Sequence, residues 1–282
     1  MRVISTIAAL REALVSHRRS GKTVGLCPTM GYLHVGHMEL VKASKSRNDI
    51  TVVTIFVNPT QFAANEDLST YPRDLDRDLT MLKAEGADFV FTPSVEEMYP
   101  GNEETIVETT RLSKVLMGKL RPGHFRGVAT VCNKLFNIAQ PDEVFFGEKD
   151  FQQVAVIKRM TADLNMPVTV VPVPTMREKD GLACSSRNVR LTSEDRAAAP
   201  VLNRALIRAE EMLLLGERSA SAIRKFVVSM LESEPLGEVE AVDIRDAATL
   251  NKITGQITAP AVVLLTVKFG KVRLIDNRVI RP

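Results

Sequence analysis

Only three cysteines occur in 282 residues, Cys27, Cys132 and Cys184, and none lies in a C-x-x-C or beside paired histidines at metal spacing. An odd, scattered set of thiols excludes a disulfide framework and a structural zinc site, and implies a reducing compartment. Apolar runs are also short: none approaches the roughly 20 residues a bilayer needs. The opening Met-Arg-Val-Ile-Ser-Thr lacks the apolar core of a signal peptide. The expectation is a soluble, cytoplasmic protein with no membrane partner. Charge of one sign is not in large excess, since 37 Lys and Arg face 34 Asp and Glu for a net +3. With no dense basic run, a general nucleic-acid surface is not indicated, and local positive charge is better suited to a small anion. Internal repeats, low-complexity segments and the G-x-G-x-x-G dinucleotide fingerprint are all missing. Gly21-Lys22-Thr23 imitates the end of a phosphate loop, but the required first glycine is Ser16, and a helix precedes the strand instead of following it.

What is present is a chain 45% hydrophobic and 25% charged, enough for one large domain and a smaller one. Helical spacing of Ile7, Leu10, Leu14 and Val15 behind Ser5 and Thr6, closed by Ser20-Gly21, predicts a first helix. An apolar strand over Thr23 to Thr29, a helix over His34 to Ser46 and a β-branched strand over Ile50 to Val57 then make a βαβ unit. The alternation continues with a helix from Pro72 to Lys83, a strand from Ala87 to Thr92, a helix from Phe125 to Ile138 and a strand from Glu143 to Phe146. A helix from Gln152 to Asp163 and a strand from Val168 to Val173 complete it. Near-continuous apolar strands alternating with helices predict a doubly wound, Rossmann-like α/β fold with a parallel sheet. The texture changes near Thr175, so the expected domains are 1–175 and a smaller α+β lid domain over 176–282. That second domain should hold a helix from Ser193 to Leu215 and another near Ala220 to Leu231. Strands over Glu238 to Arg245, Ala261 to Lys268 and Val272 to Asp276 should follow, with Gly270-Lys271 as a turn.

Chemistry concentrates where strands end. Met30-Gly31-Tyr32-Leu33-His34-Val35-Gly36-His37 joins the first long strand to a helix, where unpaired backbone N–H groups and the helix dipole favour a phosphate. Two histidines three apart could donate hydrogen bonds to phosphate oxygens, or could simply cap the turn. Asn58-Pro59-Thr60-Gln61-Phe62 follows the next strand with uncharged amides that suit a small polar substrate, or make an ordinary turn. In Tyr71-Pro72-Arg73-Asp74-Leu75-Asp76-Arg77-Asp78 the acids either complement the helix dipole or, with Asp78 the best placed, help hold Mg²⁺. Arg121-Pro122-Gly123-His124-Phe125-Arg126-Gly127 offers anion contact or a surface loop. Phe146-Gly147-Glu148-Lys149-Asp150-Phe151-Gln152-Gln153 offers Lys149 to phosphate, or a plain capped helix. Arg177 to Asn188, with Cys184, Ser185, Ser186 and Arg187, reads as a polar flap over a triphosphate or as a linker. No base stands near Cys184 or Ser185 to make either a nucleophile.

Met30 to His37 resembles the His-x-Gly-His signature of the nucleotidylyltransferase superfamily. Ile55 to Phe62, Tyr71-Pro72-Arg73, Arg121 to Val131, Phe146 to Asp150 and Asp180 to Asn188 narrow this to a resemblance to the pantothenate synthetase (pantoate–β-alanine ligase) family. It runs from near the N-terminus to about Leu191, with a weaker C-terminal part. The resemblance implies condensation of (R)-pantoate with β-alanine, with ATP converted to AMP and pyrophosphate through an enzyme-bound pantoyl adenylate. It implies ATP on Met30, Gly31, Tyr32, Leu33, His34, Val35, Gly36 and His37, with His37 as proton donor. Gly147, Glu148, Lys149, Asp150, the Met176 backbone, Cys184, Ser185, Ser186 and Arg187 would complete the nucleotide contacts. His34, Lys149 and Arg187 would join His37 in catalysis. Gln61 would contact pantoate and β-alanine, Gln153 pantoate, and Asp78 would stand on the Mg²⁺ side. A homodimer is also implied. Cys184 stands where Met or Leu is usual, and Arg77 where some relatives carry a second acid. The rivals are a nucleotidyltransferase that keeps the nucleotide in its product, and a nucleotide-binding regulator without turnover.

Overall fold

Apolar, largely β-branched stretches become the central strands, and residues 1–63 and 68–282 are described by the computed structural model. The chain divides into two units, Met1–Glu148 with Gln152–Pro174, and Lys149–Phe151 with Thr175–Pro282. In the first unit the order is β1 (Arg2–Ile4), α1 (Ile7–Arg19), β2 (Val24–Thr29), α2 (Val35–Arg47), β3 (Ile50–Ile55), α3 (Leu75–Ala84) and β4 (Phe89–Phe91). Two single-turn helices follow, α4 (Val95–Met98) and α5 (Met117–Leu120), then α6 (His124–Ala139), β5 (Glu143–Gly147), α7 (Phe151–Asp163) and β6 (Thr169–Val173). The sheet is parallel throughout, in the order β1-β4-β3-β2-β5-β6. Strand order reverses between β2 and β5, and in such sheets ligands bind beyond the carboxyl ends at that reversal. Segments Met30–His37 and Gly147–Glu148 both leave the sheet there.

Local causes are visible at the element ends. Thr6 Oγ1 accepts from Ala9 N, which starts α1, and Leu10 and Leu14 are its fully buried face. Helix α3 begins at Leu75, later than the expected Pro72, because Asp74 takes the Arg77 N–H and fixes the cap there. Strand β1, not expected, is too short for a periodic signal and exists through its pairing with β4. The core beneath the sheet joins Cys27, Leu33, Val41, Val53, Leu82 and Phe145. Each such aliphatic side chain contributes roughly 1.5–3 kcal/mol on burial.

In the second unit α8 (Ser193–Ala198), α9 (Val201–Leu214) and α10 (Ala220–Glu232) precede the antiparallel sheet β7 (Gly237–Asp246), β8 (Ala261–Phe269) and β9 (Val272–Ile280). The single helix expected from Ser193 to Leu215 is therefore two. Pro200 has no N–H to continue the ladder, and it caps the second piece instead. Leu202, Leu206, Ile223, Val227, Leu265 and Phe269 anchor this unit's own core. Among the described residues no helix is long and apolar enough to cross a membrane.

Candidate active site

Strand β2 delivers the chain to a turn with two successive left-handed residues, Gly31 at φ +80° and Tyr32 at φ +49°. Glycine is required at the first, since a Cβ there would lie 3.0 Å from Ile55 Cγ2 and 3.1 Å from Asp78 Oδ2. At the second a tyrosine is held against its preference. The cause is Asp78: its Oδ2 accepts Tyr32 N and its Oδ1 accepts Leu33 N, each at 2.7 Å. Leu33 is fully buried and pins the turn to the core, so that His34 caps α2.

The two histidines then make a reciprocal cap. His34 Nδ1 accepts Gly36 N at 3.1 Å, and His34 N donates to His37 Nδ1 at 3.2 Å, with ring centroids 4.0 Å apart. A nitrogen that accepts from a backbone N–H must offer a lone pair. Both imidazoles are therefore in the form that carries its proton on Nε2, the atom across the ring from the backbone. Capping and donation to an anion, opposed in the sequence, are compatible: the cap consumes Nδ1 and orients Nε2–H as the donor.

After β3, the single 3₁₀ turn Pro59–Gln61 carries Gln61, which is buried. Asn58 organises it, donating from Nδ2 to Gln61 Oε1 and to Gly127 O, each at 3.2 Å, while Asn58 Oδ1 accepts from Tyr99 and Thr60 hydroxyls. Gln61 Nε2 lies 2.9 Å from Met30 Sδ, so the amide and the methionine that follows β2 are neighbours. The Arg121–Arg126 cluster has a defined task. His124 Nδ1 donates to Gln61 O at 2.9 Å, and Arg121 reaches both that oxygen and His124 Nε2. Arg126 is exposed. Sequence reasoning left these residues between an anion site and a surface loop; Arg121 and His124 brace the Gln61 peptide.

At the end of β5, Gly147 and Glu148 are half-buried, and a Cβ on Gly147 would meet nothing within 4 Å. Gln153 is half-buried on α7. Its neighbour Gln152, buried, is committed to the backbone, donating to Leu112 O and Val115 O and accepting Met117 N.

The second unit gathers the other candidates. Met176 O accepts Cys184 N at 2.9 Å, Arg177 pairs with Ala183 across a short hairpin, and Ser185 Oγ accepts Arg187 N. Ser185, Ser186 and Arg187 are half-buried, while Asp150 is exposed. The hairpin is held from two sides. Arg196 of α8 bonds Glu178 and Asp180, and Arg177 makes a bidentate pair with the buried Asp276 of β9 at 2.7 and 2.9 Å. The next residue, Asn277, donates from Nδ2 to Lys149 O at 2.9 Å. Asp276 and Asn277 thus tie Lys149 and the 177–187 hairpin to one strand. Sequence reasoning missed them; the signal was an adjacent acid and amide, Asp276-Asn277, in the middle of a β-strand.

All three cysteines are free and buried. Burial pushes the Cys132 thiol up to about 12 and the Cys27 thiol further still. Burial also raises Cys184, Glu178 adding to it and the charges of Lys149 and Arg177 opposing. None is a thiolate nucleophile. Among the described residues no group of three or more His, Cys, Asp or Glu could hold a metal ion. Asp78 does not fit as a direct Mg²⁺ ligand, because it is 1% exposed and both oxygens are engaged by backbone N–H groups. It borders a cavity, but its lone pairs are already turned to the backbone rather than to a cation. This cavity, of about 310 Å³, opens at the carboxyl ends of β2, β3 and β4, lined by Met30, Tyr32, Phe56, Arg73, Asp78 and Thr92 among others.

Comparison with known proteins bears on this geometry. The family model for pantoate-beta-alanine ligase matches residues 2–279. Pantothenate synthetase of Rhizobium meliloti strain 1021 is 55% identical over 282 residues, covering 100% of this chain and 97% of that protein. The crystal structure of pantothenate synthetase from Thermus thermophilus matches with a TM-score of 0.95 at 44% identity, over 100% of both chains. That of pantoate-beta-alanine ligase from Francisella tularensis, complexed with beta-gamma ATP and beta-alanine, matches with 0.79 at 33% identity, covering 99% of this chain and 97% of that one. This chain belongs to the pantoate-beta-alanine ligase family, and is accordingly a ligase of pantothenate synthesis.

Proposed function

We propose that the chain joins (R)-pantoate to β-alanine in two steps on ATP. A pantoate carboxylate oxygen attacks the α-phosphorus and pyrophosphate leaves, giving a pantoyl adenylate. The β-alanine amine then attacks the acyl carbon and AMP leaves. A free carboxylate is a poor electrophile until it is given a good leaving group, and the residues here supply alignment and charge rather than a covalent nucleophile. The observation that carries the reading is the reciprocal cap of His34 and His37, two neutral imidazoles oriented by their own backbone at a helix N-terminus.

In this reading Met30 to His37 contacts ATP, and the Nε2–H groups of His34 and His37 stabilise charge building on the transferring phosphates, with His37 as proton donor. Gln61 contacts pantoate and β-alanine, and Gln153 pantoate. Gly147, Glu148, Lys149 and Asp150, the Met176 backbone, Cys184, Ser185, Ser186 and Arg187 are further nucleotide contacts, with Lys149 and Arg187 offsetting phosphate charge. The Francisella tularensis relative, complexed with beta-gamma ATP and beta-alanine, supports both ligand classes. Mg²⁺ would enter with ATP and would supply positive charge at the phosphates. We also propose a homodimer, which sedimentation equilibrium decides, and a cytoplasmic site of action, supported by three unpaired thiols.

The test is AMP release measured with each substrate omitted in turn. The reading expects AMP only when ATP and pantoate are present, with sustained turnover requiring β-alanine as well. Retention of the nucleotide in the product points to the nucleotidyltransferase alternative, and ATP binding without turnover to a regulator.

A further inference from the structure

Asp78 is the one acid that both the sequence and its burial single out, and its surroundings do not suit a cation. It sits in the first turn of α3, its carboxylate almost fully enclosed, and commits one oxygen to Tyr32 N and the other to Leu33 N. Those two N–H groups belong to the residues that bend the chain between β2 and the His34 cap. Tyr32 is left-handed, a conformation that a bulky side chain adopts only when its surroundings impose it. Arg77, the preceding residue, reinforces the same turn: its guanidinium lies 5.1 Å from the Tyr32 ring centroid and one Nη is 3.9 Å from Asp78 Oδ1. Oδ2 also lies where a Cβ on residue 31 would intrude. Every contact of this carboxylate shapes the turn.

We propose that Asp78 is a positioning residue for the reaction: it clamps the Gly31-Tyr32-Leu33 turn and thereby sets where the His34 and His37 imidazoles stand, without ligating Mg²⁺. The inference rests on the reading of Met30 to His37 as the segment that meets the ATP phosphates. Its logic is geometric. The clamp acts on the two peptides immediately before His34, so loosening it displaces the capping residue and, through the His34 N to His37 Nδ1 bond, the second ring. Arg77 fits a clamp better than a cation site, since it brings positive charge beside the carboxylate.

The test is Asp78→Asn, nearly identical in shape but able to satisfy only one of the two N–H groups. Kinetics at varied ATP, pantoate and total Mg²⁺ are read beside amide hydrogen exchange at Tyr32 and Leu33. A clamp predicts faster exchange at these two amides with the global melt retained. It predicts kcat lower by on the order of 10- to 100-fold, as for a displacement of about 1 Å in a catalytic group. KM for pantoate and the Mg²⁺ concentration for half-maximal activity should stay within about twofold of the parent. Recovery of kcat at high Mg²⁺, or exchange at Tyr32 and Leu33 that does not change, overturns the proposal. Unchanged kcat in a variant whose two amides exchange faster also overturns it, reducing Asp78 to a structural residue. If the variant does not fold, the unmutated enzyme decides: Mg²⁺ without nucleotide should leave exchange at the two amides unchanged, and acceleration by Mg²⁺ overturns the clamp. The exchange arm needs no activity. A parent enzyme that releases no AMP therefore removes the functional reading while the clamp is still read.

Discussion

At the scale of single residues, the arrangement turns on what each nitrogen of two imidazoles is doing. Because His34 and His37 each accept a backbone N–H at Nδ1, protonating either ring would put a proton where a donor already points. His37→Ala removes one Nε2–H donor and one cap acceptor. The cap loss costs about 1 kcal/mol of stability, whereas loss of a donor to the transition state lowers adenylate formation by on the order of 100-fold or more. Pyrophosphate release in a single turnover, read beside a thermal melt, separates the two effects. Near-normal turnover would contradict the role. The same pair illustrates how far one sequence reaches. Their spacing and their place at a helix start were legible, since three residues apart on one turn is a local fact. The sequence offered Asp78 as an acid on the Mg²⁺ side; its hydrogen bonds to Leu33 and Tyr32 were not legible, because those partners lie 45 and 46 residues away in sequence.

Elements carry the next layer, and here short contacts between them matter more than their lengths. The N-terminal turn of α6 lies against the Gln61 loop so closely that a Cβ on Gly127 would sit 2.5 Å from Thr60 O. Gly127→Ala must therefore push that loop away, breaking the Asn58 to Gly127 bond and moving Gln61. We expect overpacking to cost roughly 1–3 kcal/mol, with KM for pantoate rising more than KM for ATP; a variant with parental kinetics would separate the loop from pantoate. In the second unit, Arg177→Ala leaves Asp276 buried and without its bidentate partner, an expected loss of about 3 kcal/mol in chemical denaturation. A loss below about 1 kcal/mol would rank the pair with exposed ion pairs. The strands β2 and β3 and most helices were readable from period and burial. Three things were not: β1, whose existence depends on β4; the helix break at Pro200, overridden by an unbroken helical period on both sides; and Asp276-Asn277, polar residues whose partners only the folded chain supplies.

For the whole molecule, the alternation of strands and helices was enough to reach a parallel doubly wound sheet and a separate α+β unit, because layer architecture follows from which faces are apolar. The chemistry was not readable from that architecture, which hosts many unrelated reactions. The proposed chemistry rests instead on sequence motifs, among them Met30 to His37 and Ile55 to Phe62. The central claim is that these residues activate a carboxylate as an adenylate, and the position of one oxygen atom tests it. With pantoate labelled by ¹⁸O in its carboxylate, attack on the α-phosphorus followed by amine attack on the acyl carbon must leave one label on AMP. Mass spectrometry of the products should find ¹⁸O in AMP and none in pyrophosphate; label in pyrophosphate or inorganic phosphate, with unlabelled AMP, would contradict the account.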